Sequence, residues 1–171
     1  MAISTDQRPA VKAAPKQPLR SYTALATTFN VGLVAGILAL KHAHKLPERP
    51  RVEDVILLGV STFELSRIIT RGKITAFLRR PFARYDGPAD VPSEIEDEPV
   101  GQGPRRAIGE LLTCPYCLST WIAAGFTLGL AVAPRQVRMV GTVFAVKAVS
   151  DALNTVYAQA WDHGDQEAHE H

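Results

Sequence analysis

Two stretches of this chain run without a charged side chain over the length a helix needs to cross a bilayer. From Ser21 to Leu40 there are twenty consecutive residues without Asp, Glu, Lys or Arg. At about 1.5 Å per residue such a helix is about 30 Å long, the thickness of a hydrocarbon core. Leu111–Pro134 is a second charge-free run. A soluble helix packs one apolar stripe and shows water a polar face; these two segments are apolar on every face. The average composition, 46% hydrophobic and 21% charged, conceals this because charge is crowded into the remaining segments. The first run also exceeds the roughly 7–15 apolar residues of a secretory signal and is followed by no evident small-residue cleavage site, so a retained helix is expected.

Two further helices carry charge inside their apolar pattern. Residues 52–70 contain Glu64 and Arg67, and residues 138–161 contain Lys147 and Asp151. The expected architecture is therefore an all-α, polytopic membrane protein. Its four transmembrane helices, about 21–40, 52–70, 111–134 and 138–161, make one domain spanning 21–161, with a long polar loop at 71–110. Residues 1–20, with four basic residues and three prolines, are expected to be a basic disordered arm. Residues 162–171 read as an acidic, histidine-containing tail. Orientation follows the lysines and arginines of the connections. Placing both termini and loop 71–110 inside leaves eleven on the inner side against six outside, which predicts a multi-pass protein of the cell membrane with both termini cytoplasmic.

The charges within the helices are the most constraining residues. A charge near mid-membrane costs about 2.5–3.5 kcal/mol on insertion scales, so such groups face the bundle interior and pair. Measured from the outer helix starts, Glu64 and Lys147 fall at one depth and Arg67 and Asp151 at another, at about 1.5 Å per residue. Cross-helix pairs Glu64–Lys147 and Arg67–Asp151 are expected, with Lys147–Asp151 as the local alternative. Such a network holds helices in register; the functional alternative is a proton or ion relay. Gly32 and Gly36 on the first helix, and Gly125 and Gly129 on the third, form GxxxG motifs that would let backbones approach closely.

Cys114-Pro115-Tyr116-Cys117 opens the third apolar run. A thioredoxin-like motif follows a strand, and here none precedes. Three readings remain open: inert thiols at a helix start, half of a metal site, or a redox pair. One C-x-x-C supplies two of the four ligands that zinc takes; His163, His169 or His171 could add to them. The redox reading makes Cys114 the attacking thiolate, favoured by the helix dipole, and Cys117 the resolving thiol. Two cysteines exclude a disulfide scaffold, and a formal net charge of +2 gives no support to nucleic-acid binding. Arg79, Arg80 and Arg84 are expected to contact inner-leaflet lipid or a partner. Residues 73–85, where Ile74, Phe77 and Leu78 interleave with arginines, read either as an interfacial segment or as a solvated loop.

The run from Arg67 to Phe82, and the run Gly109-Glu-Leu-Leu-Thr-Cys-Pro-Tyr-Cys-Leu-Ser-Thr-Trp121, resemble a family of small bacterial membrane proteins, domain of unknown function 1360. The resemblance covers roughly residues 50–160. It rests on Arg67, Arg79 to Phe82, Glu110, Cys114, Cys117 and Trp121, with an extra arginine before the proline. It implies a membrane-embedded helical protein with no known enzymatic activity. The leading expectation is thus a non-enzymatic scaffold or interaction protein, presenting an inner-side loop and the C-P-Y-C turn to the lipid bilayer, a membrane-protein partner or a second copy. A membrane thiol oxidoreductase and a zinc-holding accessory protein are the alternatives.

Overall fold

A computed structural model describes residues 18–45, 49 and 51–169, with side chains described as far as Trp161. The basic arm lies outside the described residues except for its last three positions, and so do the side chains of the histidine-containing tail. The chain is mainly helical: α1 (Leu19–His42), α2 (Val52–Arg71), α3 (Ala76–Arg79), β1 (Ala83–Pro88), β2 (Ile95–Pro99), α4 (Gly103–Thr113), α5 (Pro115–Val132) and α6 (Pro134–His169). α2 is the central element and packs against both α5 and α6; α1 lies against α5 and α4.

The all-α, four-span expectation needs correction in four places. Two helices, α1 and α5, are long and apolar enough to cross a membrane by length and composition; α2 and α6 carry the charges already noted. The segment expected to be a polar loop is folded, with a two-stranded antiparallel sheet and two helices of its own. The expected third helix is two helices. Cys114 takes an extended conformation (φ −105°, ψ 107°) between α4 and α5, because Pro115 disfavours helical geometry in the residue before it and suits the first position of the next helix. The last helix also runs on to His169, into the segment read as a tail.

Burial is inverted relative to a water-soluble domain. α2 buries Asp54, Ser61, Thr62, Glu64, Ser66 and Thr70 with a single leucine, Leu58. Its Val52, Val55, Ile56, Val60 and Phe63 are exposed. α6 likewise exposes Val140, Val143, Val146, Val149 and Leu153. Exposed apolar surface of this extent calls for an apolar neighbour outside the chain.

A lone two-stranded hairpin is marginally stable, and β1 and β2, reading ARYDGP and IEDEP, have poor strand propensity. The structure holds them from three sides. Arg79, fully buried, donates from Nε to Asp97 Oδ2 of β2 at 2.8 Å. Its Nη1 and Nη2 reach the carbonyls of Ile69 (2.5 Å) and Gly72 (3.1 Å). These carbonyls lie at the C-terminus of α2, where backbone acceptors lack helical partners and the helix dipole favours a cation. On the second side, Lys73 N donates to Ser93 O at 3.1 Å, tying the α2–α3 turn to the segment before β2. On the third, α4 presses its backbone onto the hairpin base. A Cβ at Gly109 would stand 2.5 Å from the Phe82 carbonyl oxygen, so a residue without one is required there.

Removing one partner of a buried ion pair costs about 3–5 kcal/mol where the other charge is left alone; Arg80, which also reaches Asp97 at 3.2 Å, keeps the loss of Arg79 toward the low end of that range. Arg79→Leu is expected to lose stability on that scale in equilibrium chemical unfolding. Arg79→Leu/Asp97→Leu should be less destabilised than the single variant. Unchanged stability in Arg79→Leu would show that the guanidinium is not structural.

Candidate functional site

Where α2 crosses α6, five ionisable side chains meet. Lys147 Nζ lies 2.9 Å from Glu64 Oε1 and 2.8 Å from Asp151 Oδ2. Arg67 Nη1 lies 3.7 Å from Asp151 Oδ2 and 3.9 Å from Glu64 Oε2, and Arg67 Nε donates to Glu94. The structure thus brings together both cross-helix pairs and the local pair on α6. Glu94 is the member the helix-depth arithmetic missed, since it comes from the turn before β2 and not from a helix. Glu64 is buried to 1% exposure, and its Oε2 accepts no hydrogen bond. A cavity of about 110 Å³ adjoins the cluster, lined by Glu64, Arg67, Glu94, Lys147 and Asp151 among others.

The crossing is held from outside the cluster as well. Towards the start of α2, Arg138 donates from Nε and Nη2 to Asp54 Oδ1 and Oδ2 at 2.7 and 2.9 Å, a two-pronged pair that fixes orientation as well as distance. Between the two charge clusters, the Ser61 hydroxyl is 2.7 Å from the Gly141 carbonyl and 2.6 Å from that of Leu57. A Cβ at Gly141 would come within 3.3 Å of Leu58 and Ser61, so the glycine permits this approach. Serine hydroxyls and small residues are the usual means of close helix contact where water is absent. An Asp, a Ser and a Glu at positions 54, 61 and 64 repeat at sevens and threes on one helix face, a signal available in the sequence for all three contacts.

The GxxxG expectation is corrected. Among the described residues, a Cβ at Gly32 or at Gly125 would meet nothing within 4 Å, so neither glycine marks a close helix approach there. Gly36 faces Leu128 of α5, whose Cδ1 a Cβ would approach to 2.8 Å, and Gly129 faces Val137. α1 and α5 meet through Gly36–Leu128 and an edge-on contact of Phe29 with Trp121, ring centroids 5.2 Å apart. The facing-glycine register fails because Gly36 meets Leu128 and Gly129 meets Val137 of α6, so neither glycine pair is set against the other.

At the C-P-Y-C turn both thiols are free. Cys114 caps α5, its Sγ accepting from Cys117 N at 3.2 Å, and Tyr116 is exposed. Glu110, one turn before Cys114, accepts from Arg106 Nε at 2.9 Å and from the Tyr22 hydroxyl, tying α1 to α4. Among the described residues no three His, Cys, Asp or Glu side chains come together as metal ligands, and the side chain of His163 lies outside them. The three arginines expected to face lipid or a partner also divide. Arg79 is wholly buried and ion-paired, which corrects its assignment as a contact residue. Arg80 shares Asp97 at 3.2 Å, and Arg84, largely exposed, lies 3.6 Å from Glu98.

The model of the family described as protein of unknown function (DUF1360) matches residues 57–157. Two proteins of Bacillus subtilis (strain 168) are similar. The sporulation protein YjcA is 30% identical over 107 residues, covering 61% of this chain and 91% of YjcA. The UPF0713 protein YngL is 27% identical over 100 residues, covering 58% of this chain and 75% of YngL. No solved structure matches.

The geometry makes the two ends of the Glu64–Lys147 pair unequal. Lys147→Met removes the cation 2.9 Å from a carboxylate with 1% exposure and leaves it Arg67 at 3.9 Å, whereas Glu64→Gln leaves Lys147 still bonded to Asp151. Lys147→Met is therefore expected to lower the yield of folded protein more than Glu64→Gln. The double variant should recover much of the Lys147→Met loss, since no carboxylate is then stranded. Size-exclusion profiles of the solubilised protein measure this, and strictly additive losses would contradict the pairing.

Proposed function

Because the chain belongs to the DUF1360 family, whose matched residues take in most of α2, the folded segment after it, α4, α5 and most of α6 as one unit, we propose that it is a multi-pass membrane scaffold. In this reading α1, α2, α5 and α6 all span the bilayer. The α3–hairpin–α4 platform and both termini lie on the cytoplasmic side, and the platform presents an interaction surface beside the C-P-Y-C turn. The observation that carries the reading is the inverted burial of α2. A helix that hides Asp54, Ser61, Glu64 and Thr70 while exposing Val55, Ile56, Val60 and Phe63 is arranged for a hydrocarbon solvent. With α2 in the membrane, α6 must follow, because Lys147 and Arg138 are the partners of its buried acids. The excess of basic residues in the arm and platform favours the cytoplasmic side for both.

Scaffolding is favoured over chemistry by how the reactive side chains are used. Cys114 serves as a helix cap, and four of the five clustered charges bridge α2 to α6, the fifth bridging α2 to the platform. The surface left for a partner is the hairpin's outer face, with Arg84, Glu96 and Glu98, and the exposed Tyr116 at the turn. A membrane-protein partner or a second copy would dock there. A component connected with sporulation is the first partner to seek, given the name of one relative.

Topology can be read from one thiol. Cys114→Ser keeps a capping side chain and leaves Cys117, which is exposed, as the sole cysteine. A membrane-impermeant maleimide is expected to label Cys117 in permeabilised cells and not in intact ones. Labelling of intact cells from outside would overturn the cytoplasmic assignment of the platform.

A further inference from the structure

The turn around α3 is built inside out. Its arginine, Arg79, has 0% exposure, whereas Ile74, Phe77 and Leu78 are 82%, 70% and 46% exposed. The apolar positions beneath the hairpin are already filled, by Ala83 and Ile95, so the three larger side chains are turned away from the protein. They stand just beyond the last residue of α2, Arg71. The rim is one-signed. Residues 71–84 include five arginines and lysines and no acid, and the neighbouring Asp97 is engaged by Arg79 and Arg80. Arg71, Lys73 and Arg80 are exposed beside the apolar tip, Lys73 with its ammonium also on the Pro92 carbonyl and Arg80 with one nitrogen on Asp97.

We propose that Ile74, Phe77 and Leu78 form an interfacial foot that inserts into the headgroup–acyl boundary of an anionic phospholipid leaflet, with Arg71, Lys73 and Arg80 at the phosphates. Apolar side chains below and cations above match the order of the leaflet, in which such faces sit about 5–10 Å into the boundary. The buried pair Arg79–Asp97 sets the height and tilt of the foot, because the same guanidinium binds the end of α2 and the hairpin. The foot therefore also anchors the platform against the bilayer. This inference rests on the multi-pass reading above.

The test uses the full chain, with Trp121 and Trp161 replaced by phenylalanine, in phosphatidylglycerol-containing vesicles brominated either near the glycerol end or near the methyl end of the acyl chains. Phe77→Trp reports on the foot, Ile74→Trp repeats it should the first variant misfold, and Val34→Trp on α1 reports on the span itself. Phe77→Trp is expected to be quenched about twofold more by shallow bromines than by deep ones, as its depth requires, and Val34→Trp is expected to be quenched as well. A foot tryptophan untouched by either lipid while Val34→Trp is quenched overturns the foot and leaves the span standing. The same result with self-quenching that rises with protein density assigns the patch to a second copy and equally overturns the foot. If Val34→Trp is unquenched too, the multi-pass reading falls, and the foot with it.

Discussion

A guanidinium without exposed surface joins the helical and non-helical halves of this protein. Arg79 satisfies carbonyls at the end of α2, pairs with Asp97 on β2, and does so from a four-residue helix too short to stand alone. The hairpin it holds has strands rich in Asp, Glu, Gly and Pro, and nothing in their local preference would keep them paired. Burying an arginine is costly unless every donor finds an acceptor. Here the acceptors are a carboxylate, two carbonyls and the Thr75 hydroxyl at 3.2 Å. The arrangement offsets the desolvation of the charge by meeting needs that α2 and the hairpin already have.

The same logic recurs along α2. In water, helix packing draws on apolar burial; among the described residues of this chain the buried apolar side chains are few, Leu40, Leu58, Ala83, Ile95 and Ala107. Polar contacts take that place, with Asp54–Arg138 near one end, Ser61–Gly141 between, and the five-charge cluster toward the other. Polar contacts are directional, so they specify rotation and register more sharply than a greasy seam would. Glu94 carries this specification across to the platform by pairing with Arg67.

How much of this was legible depends on what kind of regularity each part uses. α1 begins two residues before and ends two residues after the charge-free run, because a helix has a fixed rise and the run a fixed length. Depth arithmetic put Glu64 beside Lys147 and Arg67 beside Asp151 for the same reason. Which glycine meets a neighbour was not legible: Gly32 and Gly125 share the spacing of contact glycines, yet among the described residues nothing lies within 4 Å of where their Cβ would be. The hairpin was missed because its strands lack the alternating pattern of a half-buried sheet and depend on Arg79 and Gly109, which lie outside the strands themselves. Arg79 was misassigned because Leu-Arg-Arg-Pro looks alike whether its arginines face lipid phosphate or a buried aspartate. The break at Cys114 was the avoidable miss, since a proline after a residue is a standing warning against continuous helix there.

The central claim is that the segment between α2 and α4 is a folded platform locked to the helices and not a solvated connection. Amide hydrogen exchange on the native chain in lipid nanodiscs addresses it directly. Protection is predicted at Lys73 and Val100, whose amides donate to Ser93 and Phe82, and across the paired residues of Ala83–Pro88 and Ile95–Pro99, approaching that of α2. Exchange of these amides at the rate of an unstructured peptide, while α2 stays protected, would contradict it.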